Sequence, residues 1–358
     1  MKALRKQHRH TTWKGRKPTV RRLLLLGVGL VLVASVAYAA FLSRPKANEP
    51  VVAGNLLPAK SPTTLAELLT LTNQELEGTD IALMNLLCAE GLPGAEHLSV
   101  TDCLAVLDQW AQHARRETER NRHRFHADQA YFHHSEAFYK MLMLAVVVYE
   151  DCQVRYNPKW MTTPAEIRSP DHFFADSHDL LLHGLLGPQR MGTCSSMPVL
   201  YIALGRRLGY PLKLVTTRQH LFLRWDGPSE KFNLEATGKG MERYEDAHYR
   251  QWPFPISAEE IQAQDYLKSL STREELSVFL SLRGACLTEA GRWAEATASF
   301  EAAYRYAPNW KGNQVLLAEA RQRQTMLIAR RQPAIESPPT VPAVFHPIRR
   351  TQNPKRQP

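Results

Sequence analysis

The chain has 358 residues, and its 45 lysines and arginines against 35 aspartates and glutamates give a formal net charge of +10. This excess is local, because nine of the basic residues lie in 1–22, where there is no acid, and the other 36 nearly balance the acidic ones. A nucleic-acid-binding face needs its basic residues on the folded domain, so the charge argues against nucleic acid as a partner. At this length we expect one main domain with appendages.

The basic residues of 1–22 directly precede an uncharged segment, Leu23–Leu42. A segment of about 20 apolar residues spans a bilayer as a helix, and its basic flank stays in the cytoplasm. We therefore expect an uncleaved, single-pass anchor in the inner membrane, with the main domain in the periplasm. A cleavable signal peptide is the alternative, because Ala37-Tyr38-Ala39 fits the small-residue pattern before a cleavage site.

The region after this segment is predicted to be a linker followed by helices. Residues 43–62 contain Pro, Ala, Lys and Asn without a period. Apolar periodicity then predicts helices over Thr63–Glu90, Val100–Arg124 and Phe138–Tyr149, with a break at Gly91-Leu92-Pro93-Gly94. We expect these helices to pack together ahead of the segments that follow.

The histidines of this region do not predict a metal site. His123, His126, His133 and His134 form no HExxH motif, so polar helix ends or loop contacts are the better interpretation. We expect neither a metal nor another cofactor. His183, farther along the chain, is predicted to lie on a helix surface.

Cys194 is predicted to lie at the start of a helix. The apolar period covers Ser195–Leu208, which Gly209 ends, and Pro198 fits only in the first turn. The positive end of the helix dipole favours a thiolate there. The free N–H groups of the first turn can also hold an oxyanion.

Three segments after this helix have the composition of strands. They are Leu212–Thr216, His220–Trp225 and Lys231–Glu235, and the last two flank a turn at Asp226-Gly227-Pro228-Ser229. An antiparallel sheet is therefore expected to follow the cysteine helix.

The predicted hairpin brings a histidine next to a carboxylate. If it is symmetric, Trp225 faces Glu230 and His220 faces Glu235, with Cβ atoms about 5 Å apart. Glu235 can then orient the imidazole and stabilise its cation in a nucleophile–base–orienter set. Asn233 lies two residues away on the same face and is the competing orienter.

These residues resemble the transglutaminase-like superfamily. The shared features are Gly-x-Cys at a helix start, Ala-Leu-x-Arg-x-Leu-Gly-x-Pro, a strand that opens with His, and aromatic-x-x-acid-x-Thr. They cover about residues 191–237, with looser similarity over about 80–255. The resemblance implies a papain-like fold with Cys194 as nucleophile, His220 as base and Glu235 in the third position, where most members have aspartate. Gln189 is an oxyanion candidate, as the upstream glutamine is in papain-like enzymes.

The C-terminal part carries the spacing of a tetratricopeptide repeat. Its small and large residues are Leu280, Gly284, Leu287, Ala296, Phe300, Ala303 and Pro308. One repeat cannot bury its own face, so we expect it to dock on the catalytic lobe or on a following helix, Asn313–Ala329. Capture of a peptide or protein partner is the alternative.

The sequence thus predicts an α+β fold, with a helical lobe packed on a small antiparallel sheet and a C-terminal helical hairpin. The predicted divisions are a basic tail 1–22, a transmembrane anchor 23–42, a linker 43–62, a transglutaminase-like domain 63–256, tetratricopeptide-like helices 257–329 and a disordered tail 330–358.

The resemblance implies thiol acyl transfer from a peptide or protein amide. Water as the acceptor would make the protein a peptidase or amidase, and an amine would make it a transamidase. The alternative is an inactive relative, a scaffold that binds an envelope protein through its cleft and its tetratricopeptide-like helices.

Overall fold

A computed structural model describes residues 61–161, 172–238 and 242–331, all of which belong to one compact unit. The basic tail 1–22, the apolar segment Leu23–Leu42 and nearly all of the predicted linker and C-terminal tail lie outside the described residues.

No helix among the described residues is both long and apolar enough to cross a membrane. The two longest of these helices have 21 residues each, but charged side chains recur along both, including Arg115, Arg116 and Glu117 in the first. This finding contradicts the expected transmembrane anchor and its inner-membrane, periplasmic location. The segment Leu23–Leu42, on which that expectation rested, lies outside the described residues.

The first part of the described chain is helical, as its apolar periodicity predicts. Its helices are α1 Leu65–Leu68, α2 Asn73–Glu77, α3 Ile81–Ala89, α4 Val100–Arg120, α5 Arg122–Ala127 and α6 Glu136–Val146, which continues as a π turn over Val147–Asp151.

The single helix expected over Thr63–Glu90 is three helices in the structure. Thr64, Thr72 and Asp80 each accept a hydrogen bond from a backbone N–H of the following turn. Such side chains satisfy the free donors of a helix start, so each begins a new helix and interrupts the one before it.

The middle of the chain supplies both sheets. Its elements are β1 Arg155–Tyr156, 3-10 turns at Pro158–Trp160 and Ser177–Asp179, α7 Leu182–Leu186, β2 Met191–Gly192, α8 Met197–Arg207, β3 Leu212–Thr217, β4 His220–Asp226 and β5 Lys231–Leu234. Strands β1 and β2 pair in parallel, and β3, β4 and β5 form an antiparallel sheet in that order.

Helix α8 is the centre of the fold. Every residue from Met197 to Gly205 is buried, as expected for a helix that is apolar on all sides. It packs against both α3 and α4 and against the strands β3 and β4. At Gly205 a Cβ atom would collide with the Leu212 side chain, so glycine lets α8 approach the sheet closely.

The last part of the described chain is again helical. Its helices are α9 Asp246–Tyr249, α10 Ala258–Gln264, α11 Thr272–Glu289, α12 Trp293–Tyr306 and α13 Lys311–Arg331. Helices α11 and α12 form a hairpin in which Gly284 lies against the Phe300 ring, as the repeat spacing predicts.

This hairpin contacts both of the surfaces expected for it. Helix α11 packs on α3, where Arg283 Nη1 donates to the carbonyls of Cys88 at 2.9 Å and Glu90 at 2.6 Å. Helix α12 packs on α13. Arg206, near the end of α8, also forms a two-pronged ion pair with the fully buried Glu275 of α11, at 3.0 and 2.5 Å.

The segment before α11 covers the outer edge of β3. Leu267 N donates to Thr216 O and Leu270 N donates to Leu214 O, each at 2.9 Å. The described residues thus form an α+β fold in which helices pack on a small antiparallel sheet, and the predicted class is confirmed.

Candidate active site

The pairing of β4 with β5 differs from the predicted register by two residues. Trp225 pairs with Phe232, whereas a symmetric turn would place it opposite Glu230. The loop has the expected four residues but lies one position later, at 227–230 instead of 226–229, because Asp226 pairs with Lys231. It closes through a bond from Gly227 N to Glu230 O of 3.0 Å.

This shift leaves His220 and Glu235 on the same face of the sheet. Side chains alternate between the two faces with a period of two, so a slip of two residues preserves the face. Glu235 lies one step beyond the pair of Leu223 with Leu234, diagonal to His220. The longer side chain of glutamate spans this diagonal.

The imidazole of His220 forms a buried ion pair with Glu235. The Nε2–Oε2 distance is 2.8 Å, and the two residues are 6% and 4% exposed. Burial acts to lower the pKa of His220, but the charge of Glu235 and the hydrogen bonds to Cys194 and Glu235 outweigh it and raise the pKa to about 10. The ring is therefore suited to carry a positive charge.

Both carboxylate oxygens of Glu235 accept hydrogen bonds. Its Oε1 accepts bonds from Thr237 N at 2.9 Å and from Thr237 Oγ1 at 2.7 Å, and its Oε2 accepts a bond of 3.2 Å from Tyr249 Oη in addition to the imidazole. Burial acts to raise the pKa of Glu235, yet the imidazole and Thr237 lower it overall. Glu235 therefore stays ionised in the position of an orienting residue.

Cys194 lies in a turn, Thr193 to Ser196, that leads into α8. Thr193 O accepts bonds from Ser196 N at 3.2 Å and from Met197 N at 3.0 Å. The helix begins two residues later than predicted. Cys194 is a partly exposed free thiol, and its thiol is one of the groups that raise the pKa of the His220 ring. Sulfur, imidazole and carboxylate thus lie in one region of the structure.

The other four cysteines, all free thiols, have different surroundings. Burial raises the pKa of Cys88 and Cys286 to about 12 and that of Cys152 to about 11, and it also raises the pKa of Cys103. A high pKa keeps a thiol protonated and weakly nucleophilic. Their environments are those of structural cysteines.

Tyr156 joins the site although its sequence context predicts only the end of a helix. Strand β1 pairs Tyr156 with Gly192, two residues before Cys194. Burial, followed by the charges of Cys194, Glu235 and Asp179, raises the pKa of its phenol, whereas a hydrogen bond from the Cys194 backbone N–H acts to lower it. A protonated hydroxyl therefore lies beside the N–H group that could hold an oxyanion.

Asn233, the competing orienter, belongs to another network. Its Oδ1 accepts a bond of 2.6 Å from Arg224 Nε, and its Nδ2 donates to Asp246 Oδ1 at 2.8 Å and to Tyr244 O at 3.0 Å. Its amide is occupied by these bonds, and Glu235 is the group that contacts His220.

Gln189, the oxyanion candidate, is exposed. Within the described part of the chain, no hydrogen bond joins its side chain to Cys194. Its oxyanion role stays a prediction, and Tyr156 is the side chain that the fold places beside the Cys194 amide.

The histidine-rich region between α4 and α6 is on the surface. His123, His126, His133 and His134 are all exposed. In the described ranges, no group of three His, Cys, Asp or Glu side chains is placed to hold a metal ion.

His183 is buried, whereas the sequence predicts it on a surface. It is 6% exposed; its Nε2 lies 3.1 Å from Ser177 Oγ, which itself donates to Pro93 O at 2.7 Å. Its Nδ1 is buried with no hydrogen-bond partner. Burial, followed by the charge of His178, lowers the pKa of His183 to about 4.

Comparisons of this chain with protein-family models, with curated proteins and with solved structures found no match.

Proposed function

We propose that this protein is a transglutaminase-like, papain-like thiol enzyme that transfers the acyl group of a peptide or protein amide. The observation that carries the proposal is the imidazole of His220, which lies between the Cys194 thiol and the buried carboxylate of Glu235. A nucleophile, a base and an orienter in contact are the minimal set for nucleophilic catalysis by a thiol.

The arrangement of the elements supports a papain-like architecture. The nucleophile precedes a central buried helix, α8, and the base and the acid lie on one face of the antiparallel sheet beside it. A helical lobe covers the other side of α8. Glutamate in place of the usual aspartate fits this chain, because the register places Glu235 diagonal to His220.

In the first step, the Cys194 sulfur attacks the carbonyl carbon of the amide while its proton is held by the His220 ring, whose pKa of about 10 keeps the ring protonated at neutral pH. Glu235 stabilises this imidazolium. The carbonyl oxygen becomes an oxyanion, which the Cys194 N–H and the Tyr156 hydroxyl are placed to bind. The imidazolium then protonates the leaving amine, and a thioester on Cys194 remains.

In the second step, His220 takes a proton from water or from an amine that attacks the thioester, and the thiol is restored. Water gives a carboxylic acid, and an amine gives a new amide. We infer that hydrolysis is the main outcome, because Cys194 is partly exposed and bulk water therefore reaches the thioester.

A thiol-reactive probe tests the nucleophile. Iodoacetamide at neutral pH should label the wild-type protein at Cys194 and fail to label that site in Cys194→Ala. Cys103→Ala is the matched control, because Cys103 is the other partly exposed thiol. In this variant, Cys194 should be labelled at the wild-type rate. Equal labelling of wild type and Cys194→Ala would remove the assignment.

Turnover separates the enzyme from the scaffold alternative. Release of amine from a mixture of peptide amides, and incorporation of a fluorescent primary amine, should both disappear in Cys194→Ala. Absence of turnover in the wild type, together with partner binding that Cys194→Ala and His220→Ala leave unchanged, would select the scaffold instead.

A further inference from the structure

Asp179 is a buried carboxylate beside the site to which the proposed reaction assigns no role. It ends the 3-10 turn Ser177–Asp179 and is 7% exposed. Its Oδ1 accepts a bond from Asn157 Nδ2 and its Oδ2 accepts one from Trp160 Nε1, each of 2.7 Å. In the described residues, no Lys, Arg or His lies within ion-pair distance of it.

The backbone carbonyl of Asp179 holds the turn that carries Cys194. It accepts a bond of 2.7 Å from Thr193 Oγ1 and a longer one of 3.4 Å from Ser196 Oγ. These two hydroxyls also accept bonds within the turn, from Ser195 N at 3.3 Å and from Thr193 N at 3.1 Å. One carbonyl thus contacts the residue before the nucleophile and the residue that caps α8.

The carboxylate of Asp179 connects the same residue to the segment that carries Tyr156. Asn157 follows Tyr156 directly, and Asn157 N donates to Gly192 O at 2.8 Å. The bonds of Asp179 therefore fix the distance between the two groups placed for the oxyanion, the Tyr156 hydroxyl and the Cys194 amide.

We propose that Asp179 is a positioning residue, whose side chain is fixed by Asn157 and Trp160 and whose carbonyl fixes the Thr193–Ser196 turn. The catalytic meaning of this placement rests on the proposed function, since it concerns the same thiol. Burying an ionised carboxylate costs free energy unless it is well hydrogen-bonded, and charge-assisted bonds are short and directional. A neutral pair would hold the two segments less firmly.

An exchange of the two side chains tests this directly. In Asp179→Asn, the new side-chain oxygen can accept from Trp160 Nε1, but the new NH2 group then faces the NH2 group of Asn157, so two donors meet and the bond between the two positions is lost. In the double variant Asn157→Asp with Asp179→Asn, the bond between the two positions is restored with its donor and acceptor reversed. The carboxylate introduced at position 157 can still accept from Lys159 N, as Asn157 Oδ1 does at 3.0 Å.

The primary readout is the rate of alkylation of Cys194 by iodoacetamide between pH 5 and pH 9, in a Cys103→Ala background. We expect Asp179→Asn to slow it by at least about tenfold, the scale of effect that a small misplacement of a reacting group produces. The double variant should recover to within about threefold of the parent. A rate for Asp179→Asn equal to that of the parent, or a double variant as slow as the single one, would overturn the proposal.

Hydrogen exchange separates this result from a failure of the proposed enzyme. We expect the amides of Thr193–Ser196 to exchange faster in Asp179→Asn and to recover in the double variant, while the amides of α11 and α12 stay unchanged. If wild-type Cys194 is no more reactive than Cys103, the proposed function fails, and the exchange data alone decide the positioning role. Unchanged exchange of the turn would refute it.

Discussion

Two buried histidines in this protein have opposite properties. His220 and His183 are both 6% exposed, yet the pKa of His220 is raised to about 10 and that of His183 is lowered to about 4. Burial acts to lower both values. The difference lies in the partners, since His220 contacts the Glu235 carboxylate and the Cys194 thiol, whereas His183 contacts a serine hydroxyl and leaves Nδ1 without a partner.

The contrast shows that burial without a contacting carboxylate gives a neutral imidazole and that a contacting carboxylate reverses the outcome. Only His220 is equipped to hold the charge that it acquires when a thiol loses its proton. His183 forms a hydrogen bond with the Ser177 hydroxyl and stays neutral, as expected for a histidine with a structural role. Substitutions and changes of pH that act on one of the two histidines can test this difference.

The largest effect should come from Glu235→Gln, which makes the surroundings of His220 resemble those of His183. Without the negative charge, the pKa of His220 falls and its imidazolium is no longer stabilised. We expect kcat/KM for amide hydrolysis to drop by about 10³–10⁴-fold, the scale seen when an orienting carboxylate becomes an amide. Glu235→Asp, which keeps the charge, is the control and should lose less. Wild-type activity in Glu235→Gln would contradict the role of the carboxylate.

Stability on the alkaline side should depend on the same pair. The folded pKa of His220 lies above its ordinary value of 6.5, so its contribution is fully present below about pH 6.5 and is lost as the pH rises toward 10. We expect the wild type to lose on the order of 3 kcal/mol from this group over that window, measured by urea unfolding. Glu235→Gln should show a shallower loss, and parallel curves for the two proteins would exclude this linkage.

Stability on the acid side should depend on His183. Its folded pKa of about 4 lies below the ordinary 6.5, so the unfolded chain takes up the proton first. Its contribution is present above about pH 6.5 and is lost as the pH falls toward 4, by on the order of 2 kcal/mol. His183→Gln, which does not titrate, should lose less stability between these values than the wild type. If both proteins lost the same stability between pH 6.5 and pH 4, His183 would be ruled out as the cause of the loss.

The smallest effect should be that of His183→Gln on the chemistry. Because no reacting group contacts His183, kcat/KM at neutral pH should stay within about twofold of the wild type. His220→Gln, a substitution of the same kind at equal burial, should abolish turnover. Comparable losses in the two variants would mean that the distinction drawn between the two rings is wrong.

The sequence predicts the parts of this site that depend on periodicity. The cysteine at a helix start follows from an apolar period of about 3.6 residues, and the shared face of His220 and Glu235 follows from the strand period of two residues. The predicted strand register is wrong by two residues, because the four-residue loop lies one position later than the predicted turn, and moving a hairpin loop by one position changes the pairing by two. The shared face survives that error, since face depends only on whether a shift is even or odd.

The parts that depend on contacts between distant segments could not be predicted. Tyr156 reaches Cys194 through a two-residue parallel pairing with β2, which is too short to leave a pattern. The burial of His183 follows from the packing of the short helix α7, where a Cβ at Gly184 would collide with His178 O. In the sequence, Asp179 is visible only as part of a polar stretch before an apolar one.

The hydrogen bonds from Leu267 and Leu270 to β3 determine where the chain can be truncated without exposing a strand edge. A fragment that stopped at residue 256 would contain the cysteine, the histidine and the glutamate, but it would leave the carbonyl groups of Leu214 and Thr216 in β3 without these donors. Exposed strand edges of this kind recruit other chains, so such a fragment should self-associate. We therefore expect the smallest autonomously folding form of the protein to extend past residue 270.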